Sequence, residues 1–144
     1  MSPTWQEIVA SLPRLLSALV RSQAYPIADL TKSKVERLIR ETGTRAGVYV
    51  FSQKADDKPV YVGRSANLPQ RLGLNHRSTL ANQAALTKCL MDKLGMPSME
   101  AARERLYADF QVRFLAIDDV YTRAAIEIYA ALKLGTEFND FREH

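Results

Sequence analysis

A chain of 144 residues suits one domain, able to bury about two-thirds of its unfolded surface, and 47% apolar with 25% charged residues excludes a disordered or low-complexity protein. The single cysteine, Cys89, excludes a disulfide framework and a cysteine-rich zinc site. No apolar run approaches the roughly 20 residues that cross a bilayer, and the start lacks a basic segment before its apolar positions, so we expect a cytoplasmic protein without an export signal or membrane partner.

Trp5, Ile8, Val9, Leu12, Leu15, Leu16 and Leu19 recur at helical spacing, with Thr4 and Glu7 as a capping box in front. Pro13 predicts an interruption or kink. This apolar stripe must lie against something, either the domain's own sheet and helices or a second copy or partner protein. Tyr25-Pro26 predicts a bend, and Ser33 with Glu36 opens a second helix through Val35, Leu38 and Ile39, stopping near Gly43. Residues 1–44 therefore read as an N-terminal helical extension packed on a domain of residues 45–144.

Two β-branched, aromatic-rich runs, 47–51 and 59–63, flank a polar break containing Asp56, Asp57 and Lys58, which predicts an antiparallel strand pair with Tyr49 on one strand and Tyr61 on the other. Asn67 caps a following helix that carries Arg71 one turn in. Residues 79 to 94 read as a helix closing at Gly95, and Ser98 starts another through about Tyr107. Phe110, Val112, Phe114 and Ala116 alternate with polar residues as a third strand. Asp118 or Asp119 caps a last helix from about Val120 to Leu134, before Gly135. The expected fold is α/β, a small three-stranded, mainly antiparallel sheet flanked by helices.

The net charge of +4 permits an anionic partner without requiring one. Its distribution says more. No carboxylate lies between Asp57 and Asp92, whereas Lys58, Arg64, Arg71, Arg77 and Lys88 do, with His76, which predicts a positive surface region. Glu127 is the converse case: its neighbours on one face of the last helix are Val120, Ala124, Ala131 and Leu134. A carboxylate directed at small apolar groups needs an arginine such as Arg123, several hydrogen bonds or a metal ion.

Gly47-Val48-Tyr49, then Tyr61-Val62-Gly63, then Arg71, Glu127 and Asn139 occur in the order of the GIY-YIG nucleases, and over residues 45–144 the chain resembles that family. The resemblance implies a metal-dependent endonuclease acting on duplex or branched DNA. In it, Glu127 would hold a single divalent ion, Mg2+ or Mn2+, and Arg71 would stabilise the charge of the transition state. Either Tyr49 or Tyr61 would take the proton of the attacking water, Tyr49 being slightly preferred, and Asn139 would orient the site through its amide. A phenol with its usual pKa near 10 is a poor base at neutral pH, so Arg64 or Arg71 would have to lower it. Lys58, Arg64, Arg71, Arg77 and Lys88 would contact DNA. Many members carry a histidine or tyrosine one helical turn after the arginine; this chain has Asn75 there and His76 one position later, about 100° further round. A second reading keeps the fold and the DNA binding without catalysis.

Overall fold

A computed structural model describes residues 2–75 and 85–139. In chain order these form helix α1 (Trp5–Arg21), strand β1 (Tyr25–Pro26), helix α2 (Lys32–Ile39) and strands β2 (Gly47–Gln53) and β3 (Pro59–Ser65). A single turn α3 (Leu68–Gln70), helices α4 (Ala85–Lys93) and α5 (Met99–Asp109), strand β4 (Phe110–Ala116) and helix α6 (Val120–Leu134) follow.

The fold is α/β as expected, but the sheet has four strands, in the order β1-β4-β2-β3, rather than three, and every described pairing is antiparallel. The added strand is Tyr25–Pro26, read from sequence as a bend. Two residues are too few to show alternation, and proline, lacking an amide donor, is tolerated because β1 is an outer strand. Tyr25 stacks on Phe114 of β4, with ring centroids 5.9 Å apart.

Alternation along the strands divides the core. Val48, Val50 and Val62 pack with Ile8, Leu12 and Leu19 of α1 and with Ile126 and Ala130 of α6. Tyr49, Phe51 and Val112 belong to the opposite cluster, with Leu68, Leu72, Leu86, Leu90 and Leu106. The central strand β2 is consequently buried on both faces.

Helix α1 has the predicted capping box, Glu7 N donating to Thr4 Oγ1 at 3.2 Å and Thr4 N to Glu7 Oε1 at 3.0 Å. Of the interruption or kink expected at Pro13, the interruption does not occur: one helix runs past it. A proline costs a helix interior about 3 kcal/mol, whereas burying Ile8, Leu12 and Leu19 stabilises it by about 1.5–3 kcal/mol each. Most of the apolar stripe is thus spent on the chain's own core. Helix α2 starts two residues earlier than the sequence reading, because Thr31 Oγ1 accepts from Lys34 N at 3.2 Å and is the cap instead of Ser33. Its Val35 and Ile39 join Ile27 and Leu30 in the core, so residues 25–39 are built into the sheet and its packing. Asp119 caps α6, and Gly135 ends it at φ 65°, a left-handed conformation that glycine adopts without strain.

Candidate functional site

Tyr49 stands directly opposite Gly63 in the β2–β3 ladder. A Cβ on Gly63 would lie 2.3 Å from Tyr49 Cζ and Oη, so the phenol ring occupies the space a side chain would fill. The neighbouring pair, Phe51 and Tyr61, puts Tyr61 on the same side of the sheet, its ring centroid 6.3 Å from that of Phe51. Tyr49 is completely buried and Tyr61 half-buried.

Arg71 reaches Tyr49 from the turn after β3. Asn67 Oδ1 accepts from Gln70 N at 3.1 Å, and Leu68 N donates to Arg45 O at 2.7 Å, anchoring the start of α3. The helix then widens into a π-type turn over Arg71–Asn75. A Cβ on Gly73 would sit 2.4 Å from Lys32 N, so this glycine lets the turn lie against α2. With its turn fixed in this way, Arg71 Nε donates to Tyr49 Oη at 3.2 Å.

Glu127 arrives from α6, which packs on the other face, and approaches around β3, the sheet's edge strand. Its side chain is 19% exposed, with Arg64 Nε 3.7 Å from Oε1. The sequence reading offered Arg123 as its partner. Instead Arg123 is buried and donates to the carbonyl oxygens of Ile117 and Asp118. Burial raises the Glu127 carboxyl pKa, opposed by the Arg64 guanidinium and backbone amide and by Arg71.

The phenols are raised as well. For Tyr49, burial and the neighbouring Tyr61 outweigh Arg71, and Glu127 adds to the rise. Burial also raises Tyr61 against the pull of Arg71. The expectation that an arginine would bring a phenol down towards neutrality is corrected in sign, because desolvation is the larger effect. Tyr49, Tyr61, Arg71 and Glu127 nevertheless act on one another electrostatically, from four separate elements.

Asn139 folds back beside β3. Its Oδ1 accepts from Val62 N at 2.8 Å, and its Nδ2 donates to Val62 O at 2.7 Å. Thr136 Oγ1 donates to the same Oδ1 at 2.6 Å. The amide thereby satisfies the outward backbone groups between Tyr61 and Gly63, and it acts on the site through the strand. Thr136 was not singled out from sequence, although a threonine three residues before an asparagine just past a helix stop is a local signal for such a pair.

Of the basic residues, Lys58 lies 3.8 Å from Glu137 and Lys88 lies 2.7 Å from Asp92. The run without carboxylates is therefore partly neutralised by Glu137 from far along the chain and by Asp92 at its own border. His76 and Arg77 lie outside the described residues. Sequence reasoning gave Arg64 to DNA and to the tyrosines and missed its ion pair with Glu127, which the packing of α6 against β3 creates.

Among the described residues no three His, Cys, Asp or Glu side chains are grouped as a metal cage. The donor chemistry at Glu127 fits a different kind of site: one carboxylate, held in a partly buried position that disfavours its own charge. Magnesium keeps most of its waters and takes its remaining oxygens from phosphate, so one carboxylate can serve. Among the described residues no helix is long and apolar enough to cross a membrane. Comparison with protein-family models, with curated proteins and with solved structures found no match.

Proposed function

We propose that this chain is a metal-dependent endonuclease that hydrolyses DNA phosphodiester bonds at the Tyr49, Tyr61, Arg71 and Glu127 cluster, in the manner of the GIY-YIG nucleases its sequence resembles. What carries the reading is the contact of Arg71 with Tyr49 at 3.2 Å, with Glu127 and Tyr61 within electrostatic reach of both. A phenol, a guanidinium and a carboxylate brought together at one strand edge suit an in-line attack of water on phosphorus.

Arg71 offers a permanently charged planar fork to the phosphate and would stabilise its added charge. Glu127 would hold the divalent ion, magnesium or manganese, which when bound supplies positive charge to the leaving oxygen. Tyr61 is the more accessible phenol and would receive the water's proton, while buried Tyr49 holds Arg71 in place. Arg64, relieved of Glu127 once a cation takes the carboxylate, would turn to the DNA backbone. Lys58 is exposed and Lys88 partly so, and both would exchange their carboxylate partners for phosphates, making affinity fall with salt.

A specific observation favours a second reading, a DNA-binding module that does not cut: both phenols are shifted away from the ionised form a base requires. Plasmid nicking separates the two. We expect magnesium-dependent nicking that Glu127→Ala abolishes and Tyr61→Phe reduces more than Tyr49→Phe. Full nicking by Glu127→Ala would overturn the mechanism, and salt-sensitive DNA binding without cleavage in magnesium or manganese would establish the second reading.

A further inference from the structure

Helix α6 presents its outer side to solvent with no charge on it. Tyr121 is 67% exposed, Ile128 57% and Leu132 79%, with Ala124 and Ala125 between them. At about 100° per residue these five positions fall within about a 100° sector of the helix. Trp5 of α1, 64% exposed, stands across a groove lined by Ile8, Tyr121, Ala124, Ala125 and Ile128. The apolar surface continues past Ile128 and Leu132 towards Thr136.

We propose that two copies of this chain associate through this face, their α6 helices antiparallel about a two-fold axis at Ile128. Area is the first argument. An aromatic side chain offers about 150–250 Å², and an aliphatic one about 60–120 Å² at 25 cal/mol per Å². Scaled by these exposures, Trp5, Tyr121, Ile128 and Leu132 present roughly 400 Å² of apolar surface. A standard interface buries about 800 Å² per partner, of which about 57%, or roughly 450 Å², is apolar. The face therefore supplies nearly all the apolar area such an interface needs, leaving a polar rim for the rest.

Shape selects a second copy as the occupant. An antiparallel pairing centred on Ile128 sets Leu132 of each copy opposite Ala124 of the other, large against small, twice by symmetry. Reversing one helix against the other opposes the two helix dipoles. Glu127 lies about 100° round the helix from Ile128, so both carboxylates stay outside the contact and two copies of the candidate site flank one axis.

Sedimentation of the purified chain at micromolar concentration tests this. We expect twice the monomer mass, halved by Ile128→Asp or by Leu132→Asp, with circular dichroism retained because both positions are exposed. Ile128→Cys should cross-link to its own symmetry mate under oxidation, while Arg14→Cys should not. A wild-type chain that sediments as a monomer at that concentration, or an Ile128→Asp variant that remains a dimer, would overturn the proposal. Neither result bears on nicking, so the proposed function stands or falls separately.

Discussion

Gly63→Ala is the most direct test of how the site is assembled. The new methyl would lie 2.3 Å from Tyr49 Cζ and Oη and 2.7 Å from Cε2, whereas non-bonded carbons rest at about 3.5–4.0 Å. The ring must therefore move by more than about 1 Å. It has little room, being completely buried, edge-on to Phe51 with centroids 5.7 Å apart, and bonded to Arg71. Overpacking costs about 1–3 kcal/mol, and loss of a hydrogen bond to a charged group adds about 1.5–3 kcal/mol. Removing a glycine from a strand returns about 0.5–1 kcal/mol. The net destabilisation is about 1.5–5.5 kcal/mol, or roughly 6–22 °C in Tm at about 4 °C per kcal/mol for a chain of this size. Thermal unfolding followed by circular dichroism reads the shift, and a second background isolates its cause. With Tyr49→Leu in place the clashing atoms are gone, so Gly63→Ala should then cost less than about 0.5 kcal/mol. A Gly63→Ala protein melting with the wild type, or an equal cost in both backgrounds, would refute this account of the glycine.

Glu127→Gln should raise Tm at pH 7, since burial holds the carboxyl pKa up and ionisation there opposes folding. The opposition is complete above the folded pKa and fades as pH falls towards the unfolded value, so the advantage over wild type should shrink with acidification. A lower Tm for the variant at pH 7 would show the Arg64 pair outweighing burial. Asn139→Ala removes two hydrogen bonds to Val62 and leaves their partners beside a strand edge, a loss of about 1–3 kcal/mol in urea unfolding. Hydrogen exchange at the Val62 amide should quicken at the same time, and unchanged exchange would remove Asn139 as the clamp on β3.

Local signals were readable in advance. The alternation in β2, β3 and β4, the Thr4 and Glu7 box, the Asn67, Ser98 and Asp119 caps and the stop at Gly135 each depend on residues a few positions apart. Local reading failed where the chain had to meet itself. β1 forms because β4 offers an open edge to Tyr25 and Pro26, and α1 survives Pro13 because α6 and the sheet cover its apolar side. The basic run looked free of acids until Glu137 reached Lys58 from the end of the chain.

The candidate site divides in the same way. Sequence by itself determined which chemistry was available, by placing phenols in two strands, a guanidinium one turn into a helix and an acid on an otherwise apolar helix face. Tertiary structure alone decided its electrostatics. Folding buried Tyr49 over Gly63, carried Glu127 around the edge of β3 to Arg64 and used Asn139 to hold that edge. Each of these depends on burial and on contacts across tens of residues, and desolvation, which sets the direction of all three acid shifts, has no value until the surrounding chain has displaced the water.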